Sequence, residues 1–272
     1  MNLPVFTAFI LLCVDFSKSE ECVCGKELIG KRIIGGQRAK SGAFPFNVAL
    51  FDNETGYFCG GSLINNIWVI TAAHCLDERD PKSFTISISF TKLHDPNAKK
   101  FVAEKTIVHP DYVPAPKFLH DIALIKLPEA LSFNDSKVNP VCLPTKSMIH
   151  FSNLIAIGFG ITSRFSSASE NLMEVPLIER NQTECKIIYN KLYVRFTDEH
   201  ICANQEGKDV CNGDSGGPLI TKLRGHLYLA GCTSWGILCG SYQYPSVFTR
   251  ISSYLGWIEK NASEDAKWCK SP

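Results

Sequence analysis

The sequence predicts a mainly β protein, folded as a sandwich or a barrel, and three observations point to it. Residues 85–90, Thr-Ile-Ser-Ile-Ser-Phe, alternate with the period of two that is typical of a half-buried strand. One segment only, residues 254–258, has a helical pattern, with Ser252 or Ser253 as its N-cap. Many short strands with almost no helix are typical of all-β sandwiches and barrels. Further β-rich runs recur between turn-forming residues, at 46–51, 68–71, 101–108, 122–127, 154–157, 218–221 and 227–234.

Composition is that of an ordinary globular chain. The 272 residues are 45% hydrophobic and 20% charged, with a formal net charge of +1. Without a basic excess, neither a nucleic acid nor an anionic membrane surface is an expected partner. The longest apolar run, Val5–Val14, falls short of the roughly 18 residues that a membrane-spanning helix needs.

The N-terminus and the cysteines indicate export. Residues 1–19 combine an apolar stretch with small residues near its end, as a secretory signal peptide does, although a short buried strand or helix is the alternative. Twelve cysteines favour an oxidising compartment. We therefore expect a secreted, extracellular protein. We also expect glycans on some of the four Asn-X-Ser/Thr sequons, at Asn53, Asn134, Asn181 and Asn261.

The sharpest motif is Gly213-Asp214-Ser215-Gly216-Gly217-Pro218. Glycines on both sides of Ser215 leave its hydroxyl unobstructed and let backbone N–H groups turn toward a developing oxyanion. The same letters fit the nucleophile elbow of α/β-hydrolases, which runs from a strand into a helix and is followed by its histidine. Here residues 218–220 continue as a strand, and the only later histidine is His226. We therefore reject the α/β-hydrolase interpretation.

Two further motifs precede this serine. The segment Trp68–Cys75 ends in Ala-Ala-His-Cys, and Asp121 begins Asp-Ile-Ala-Leu. With His, Asp and Ser in this order, the chain resembles the trypsin/chymotrypsin-like serine protease family from residue 33 to about residue 260. The resemblance implies two six-stranded antiparallel β-barrels with a C-terminal helix, and an active site in the cleft between the barrels. It also implies a domain order of signal peptide 1–19, pro-segment 20–32, peptidase domain 33–260 and C-terminal tail 261–272.

By this resemblance, the catalytic residues are His74, Asp121 and Ser215. His74 would be the base, because an unperturbed imidazole is largely neutral near pH 7. Asp121 would hold its tautomer and stabilise the imidazolium. The N–H groups of Gly213 and Ser215 would form the oxyanion hole. The other histidines are expected to be ordinary surface or core residues.

The segment Lys31-Arg32-Ile33-Ile34-Gly35-Gly36 resembles the family's zymogen cleavage site, although an exposed dibasic pair is the alternative. Cleavage after Arg32 would free the amine of Ile33, which the resemblance pairs with Asp214. This pairing would order the oxyanion hole and the specificity pocket.

The resemblance also implies four disulfides: Cys24–Cys142, Cys59–Cys75, Cys185–Cys202 and Cys211–Cys239. The first would keep the pro-segment attached after cleavage. Cys22 is expected to pair with Cys269. The alternative is that Cys22 and Cys24 exchange roles. Cys232 is expected to be a packed free thiol.

The residue six positions before Ser215 is Asp209, which the resemblance puts at the floor of the primary pocket. A carboxylate there favours a long cationic side chain, above all Arg. Ser246 stands where a glycine is expected and would narrow the pocket, and Val210 lacks a hydroxyl that assists Lys binding in relatives. We expect Arg to be preferred over Lys; the alternatives are a preference shifted elsewhere, or a backbone adjustment that absorbs Ser246. The implied substrate-binding residues are Asp209, Ser234, Trp235, Gly236 and Ser246.

These observations predict a zymogen-derived serine endopeptidase. It would be a monomer that meets protein or peptide substrates, an activating protease and protein inhibitors, but no nucleic acid and no membrane. A non-catalytic homologue that acts as a binding partner or cofactor is the alternative, because Ser246 narrows the pocket. No organic cofactor is expected. No metal is expected either, since residues 90–100, where relatives bind calcium, carry one carboxylate, that of Asp95.

Overall fold

The computed structural model describes residues 22–27, 37–88, 90–133, 137–161, 167–207 and 209–272. This part of the chain forms two antiparallel sheets of seven strands each, which confirms the mainly β fold class. The short strand β1 (Gln37–Arg38) joins the C-terminal sheet. The N-terminal sheet consists of β2 (Asn47–Asp52), β3 (Gly56–Leu63), β4 (Trp68–Thr71), β5 (Phe84–Ile88), β6 (Lys99–Val102), β7 (Lys105–Val108) and β8 (Ala123–Lys126). The C-terminal sheet continues with β9 (Leu154–Gly158), β10 (Met173–Glu179), β11 (His200–Asn204), β12 (Pro218–Leu223), β13 (His226–Trp235) and β14 (Ser246–Arg250).

The C-terminal sheet closes into a six-stranded barrel. Its spatial order is β1-β10-β11-β14-β13-β12-β9, and β9 pairs with β10 as well, so strands β9 to β14 complete a ring. The N-terminal sheet has the order β6-β5-β2-β3-β4-β8-β7. It differs from the implied ring in that it curls as a half-barrel, whose two edge strands follow each other in the chain with residues 103–104 between them.

Helix α1 (Gln182–Asn190) lies before β11 and was not predicted from the sequence. Its N-cap is Asn181, whose side-chain oxygen accepts hydrogen bonds from two N–H groups of the first turn. Only Cys185 and Tyr189 are buried along the helix. A single apolar row of this kind, i and i+4 apart, is too narrow to stand out as a helical stripe in the sequence.

Helix α2 (Leu255–Asn261) is the predicted C-terminal helix, and Leu255 and Ile258 form its buried face. The predicted serine caps are wrong. Residues 251–253 form a 3-10 turn instead, closed by a hydrogen bond from the Tyr254 N–H to the carbonyl of Ile251. Because this turn takes up both serines, the N-cap of α2 is Tyr254, which makes no side-chain capping bond. Within the described residues, neither helix has the length and apolar character that crossing a membrane requires.

Five disulfides link the described residues, and they include the four pairs implied by the resemblance together with Cys22–Cys269. The segment 22–27 is therefore attached twice to the rest of the chain. Val23 also pairs in parallel with Lys270 of the C-terminal tail. Cys232 is a buried free thiol, and burial raises its pKa well above the ordinary cysteine value.

Candidate active site

His74 and Asp121 are brought together by neighbouring strands. His74 lies in a 3-10 turn, Ala73–Cys75, that follows β4, and Asp121 lies just before β8. These two strands pair with Thr71 opposite Ala123, which places both side chains at the same end of the sheet. The His74 N–H donates to Asp121 Oδ1 at 2.9 Å, and the ring atom Nδ1 lies 2.8 Å from Oδ2. The Asp121 carboxylate therefore binds both the backbone N–H and the ring of His74, which fixes the orientation of the imidazole.

The C-terminal sheet also contributes to Asp121. The Ser234 hydroxyl at the end of β13 donates to Oδ2, and the Thr249 hydroxyl of β14 donates to the Asp121 carbonyl at 2.7 Å. Ser234, expected beside the substrate backbone, is buried in this contact. Asp121 is only 1% exposed, so all of its polar atoms must find partners within the protein. The carboxylate therefore ties the two sheets together at the site.

The charges of this pair stabilise each other. Burial acts to raise the pKa of Asp121, but the hydrogen bond and charge of His74, with the Ser234 hydroxyl, bring that pKa below its ordinary value. Burial acts to lower the pKa of His74, and the hydrogen bond and charge of Asp121 outweigh it, so the pKa is raised. A carboxylate at Nδ1 favours the tautomer with its proton there, which leaves Nε2 as a proton acceptor. The arrangement can serve as a general base.

Ser215 lies between two tight turns. The Asp214 N–H donates to the Cys211 carbonyl at 3.0 Å, and the Gly217 N–H donates to the Asp214 carbonyl at 2.9 Å. In both turns the third residue is a glycine with positive φ, +94° at Gly213 and +74° at Gly216, as type II turns require. The motif predicted from the sequence thus folds as a double turn that leaves Ser215 half-buried.

Gly216 has a second reason to be a glycine. A Cβ at this position would lie 2.2 Å from the Thr71 hydroxyl oxygen and 2.6 Å from the Gly60 carbonyl oxygen. The loop that carries Ser215 therefore packs directly against β3 and β4, the strand that precedes His74. This close approach brings Ser215 to the N-terminal sheet that carries His74 and Asp121.

Both oxygens of the Asp214 carboxylate accept hydrogen bonds from backbone N–H groups. Its Oδ1 accepts the Gly160 N–H at 2.8 Å, and its Oδ2 accepts the Cys211 N–H at 2.9 Å. A Cβ on Gly160 would lie 2.3 Å from Oδ2 and one on Gly158 would lie 2.1 Å from Oδ1, so the Asp214 carboxylate fits only because both residues are glycines. Burial raises the pKa of Asp214 to about 6. Arg32, the expected cleavage site, and Ile33, whose freed amine is expected to pair with Asp214, lie outside the described residues.

The Asp209 side chain is half-buried. Its carboxylate accepts the Val210 N–H at 2.9 Å and the Gly240 N–H at 3.1 Å. Burial raises the pKa of Asp209 to about 6, although a hydrogen bond from the Ser246 hydroxyl acts to lower it. A Cβ built on Gly236 would lie 3.1 Å from the Ser246 Oγ. The Ser246 side chain therefore fills space between Gly236 and Asp209, where the sequence predicts a narrowed pocket.

Two residues beside the site carry no motif that could have identified them. The ring of Phe118 stacks on Trp235, with centroids 5.3 Å apart and planes 21° apart. The Tyr57 hydroxyl donates to the carbonyl of Gly213 at 2.5 Å. The only available signal was position, since Phe118 lies three residues before Asp121 and Tyr57 two before the first cysteine of the Cys59–Cys75 bridge.

One cluster of the described residues resembles a metal site by proximity, that of Cys59, His74 and Cys75. Both sulfurs are joined in one disulfide, so neither can be a thiolate ligand. The disulfide is better explained as a covalent link that holds the 3-10 turn carrying His74 against β3.

Three of the four sequons lie in described residues. Asn53 and Asn181 are exposed, and Asn181 uses its side-chain oxygen for capping, which leaves its amide nitrogen to solvent. The amide nitrogen of Asn261 instead donates to the Trp257 carbonyl at 2.8 Å. Asn134 lies outside the described residues.

Comparison with known proteins agrees with this geometry. The family model described as Trypsin matches residues 33–258. The chain is 33% identical to the clotting factor G beta subunit of Tachypleus tridentatus, over 87% of this chain and 82% of that protein. It is 34% identical to mannan-binding lectin serine protease 1 of Mus musculus, over 88% of this chain but only 37% of that longer protein. It is 36% identical to the venom serine protease Bi-VSP of Bombus ignitus, over 82% of this chain and 66% of that protein.

Proposed function

Since the chain belongs to the trypsin family of serine proteases, we propose that it is an active, secreted serine endopeptidase that cleaves after basic residues, Arg in preference to Lys. The observation that carries the proposal is the pairing of His74 Nδ1 with the buried Asp121 carboxylate at 2.8 Å, beside a loop that presents Ser215 on a double turn. The relatives named for clotting and venom act outside cells, and the disulfides of this chain agree with export.

In the proposed reaction, the Ser215 hydroxyl attacks the carbonyl carbon of the scissile peptide bond while His74 Nε2 takes its proton. Asp121 stabilises the imidazolium that forms, and the same proton then passes to the leaving amine. Water repeats these steps on the acyl-enzyme and releases the acid product. The N–H groups of Gly213 and Ser215 stabilise the oxyanion, and each such donor contributes about 3 kcal/mol to transition-state stabilisation.

The proposed activation of the zymogen depends on the environment of the Asp214 carboxylate. A buried carboxylate with a raised pKa gains from a cationic partner, and the amine of Ile33, freed by an activating protease after Arg32, is the proposed one. The pro-segment would then stay attached through Cys24–Cys142 and Cys22–Cys269. An α-amino group has a pKa near 8, so this switch should weaken at alkaline pH.

Specificity rests on Asp209. A half-buried carboxylate selects a cationic side chain, and guanidinium can satisfy both of its oxygens at once. No metal or cofactor takes part in the proposal. The remaining assignments are a signal peptide at 1–19, a pro-segment at 20–32, a peptidase domain at 33–260, a tail at 261–272, glycans on exposed sequons, and a monomer that protein inhibitors can block.

The test is hydrolysis of matched peptide amides with Arg, Lys, Phe or Ala at the cleavage position, after controlled cleavage at Arg32. Ser215→Ala is the control. We expect Arg-selective turnover that disappears in the control. If cleavage at Arg32 is verified and no amide is hydrolysed, the chain is a non-catalytic homologue, and Ser246 is the first residue to examine.

A further inference from the structure

Strand β3 of the N-terminal sheet touches the loop of Ser215 at two points. The Gly60 N–H donates to the Ser215 carbonyl at 2.7 Å, and the Tyr57 hydroxyl donates to the Gly213 carbonyl at 2.5 Å. These carbonyls belong to the two residues whose N–H groups are proposed to bind the oxyanion. One strand of the opposite sheet therefore holds both of them, on either side of Asp214.

The Tyr57 ring cannot easily leave this contact. It packs edge-on against Phe51 at 5.8 Å and Phe159 at 5.9 Å between ring centroids, and Phe159 is itself stacked on Phe90 at 5.3 Å. Burial and the charge of Asp214 raise the pKa of Tyr57 well above the ordinary tyrosine value. The hydroxyl therefore stays protonated, and remains a hydrogen-bond donor, at any pH at which the enzyme would work.

Gly213 is held from two sides. A Cβ on this residue would lie 3.4 Å from the Tyr57 ring and 3.2 Å from the α-carbon of Gly160. Gly213 is the third residue of a turn, and type I and type II turns differ in the orientation of the peptide between their second and third residues. That peptide contains the Gly213 N–H. The direction of this donor depends on the φ angle of Gly213, and the contacts with Tyr57 and Gly160 hold the α-carbon and carbonyl that lie on one side of that torsion.

We infer that Tyr57 is a positioning residue of the oxyanion hole: its hydroxyl, through the Gly213 carbonyl, keeps the Gly213 N–H directed at the reacting carbonyl. The inference rests on the proposed function for its catalytic consequence. Its structural consequence, a firmly held turn at residues 211–214, can be measured without catalysis.

The test compares Tyr57→Phe, which removes only the hydroxyl, with Phe51→Leu, which disturbs the ring packing and keeps the hydroxyl. For each cleaved protein we would measure kcat, KM, the affinity for a peptide aldehyde and the affinity for benzamidine. The aldehyde adds to the Ser215 hydroxyl without a leaving group and puts an oxygen in the hole, whereas benzamidine needs only the Asp209 pocket. We expect Tyr57→Phe to lower kcat and aldehyde affinity together, about tenfold, with KM and benzamidine affinity unchanged. Phe51→Leu should lower thermal stability and leave the aldehyde-to-benzamidine ratio as it is.

Equal losses of aldehyde and benzamidine affinity in Tyr57→Phe, or unchanged kcat, would overturn the inference. If the wild-type chain hydrolyses nothing, the proposed function fails and hydrogen exchange decides the inference separately. The Asp214 N–H closes the turn onto Cys211, and in Tyr57→Phe it should exchange at least about tenfold faster than in the wild type and in Phe51→Leu. Equal exchange rates would show that Tyr57 does not hold the turn.

Discussion

Replacing Ser246 with glycine should open the primary pocket and increase the hydrolysis of substrates with a basic residue at the cleavage position. Ser246 is only 2% exposed, its Oγ would lie 3.1 Å from a Cβ on Gly236, and its hydroxyl donates to the Asp209 side chain. In the proposed pocket, a substrate side chain that reaches Asp209 would pass this hydroxymethyl group. Its removal frees roughly the space of one water molecule, about 30 Å³.

The expected magnitude comes from two opposing effects. One carbon-sized group in a specificity pocket changes discrimination by about 1–3 kcal/mol, or roughly 10- to 200-fold in kcat/KM. Against this, Asp209 loses a hydrogen bond of a charged group, worth about 1.5–3 kcal/mol. A bound guanidinium replaces that bond with its own, so most of the steric gain remains. We expect kcat/KM for Arg substrates to rise about tenfold above pH 7.

The assay is steady-state hydrolysis of Arg, Lys and Phe peptide amides, with Ser246→Ala as the matched control. Alanine removes the hydroxyl and keeps the Cβ, so it separates the hydrogen bond from the volume. If volume is limiting, Ser246→Gly is faster than Ser246→Ala on both basic substrates and equal to it on the Phe substrate. An unchanged or lowered kcat/KM for the Arg substrate in Ser246→Gly would refute a steric role for the Ser246 side chain.

Three more predictions concern the charges at the site. Asp121→Asn should lower kcat by about 10⁴ and move the acid limb of the pH–rate profile to lower pH, because the charge that raises the pKa of His74 is lost; an unmoved limb would contradict this. Gly160→Ala puts a Cβ 2.3 Å from Asp214 Oδ2 and should abolish turnover, while the circular dichroism spectrum stays native. An active variant would show that this position of the Asp214 carboxylate is not required for turnover. Benzamidine affinity should fall about tenfold per pH unit below about pH 6, where the raised pKa of Asp209 makes its carboxyl neutral; competition titrations that stay flat down to pH 5 would rule out Asp209 as its partner.

The sequence by itself determined the strand-rich class and the three motifs around His74, Asp121 and Ser215. This was possible because each motif lies within consecutive residues. The double turn at Ser215, for example, needs glycines at fixed offsets, and those offsets can be read from the printed chain. The C-terminal helix was visible for the same reason, since its apolar face repeats within two turns.

Only the tertiary structure decided what lies across from these motifs. Ser234 donates to Asp121, Tyr57 holds Gly213, and Phe118 stacks on Trp235, all between residues more than 100 positions apart in the chain. Helix α1 was missed because its few buried side chains pack against neighbours such as Phe196 that are identified only in the folded protein. Local sequence patterns indicate which secondary structure or turn a segment can form. Hydrogen bonds and packing between distant segments depend on how the two sheets fold and pack together. The motifs of the candidate site were therefore readable from the sequence, and their contacts with distant residues such as Tyr57 and Phe118 were not.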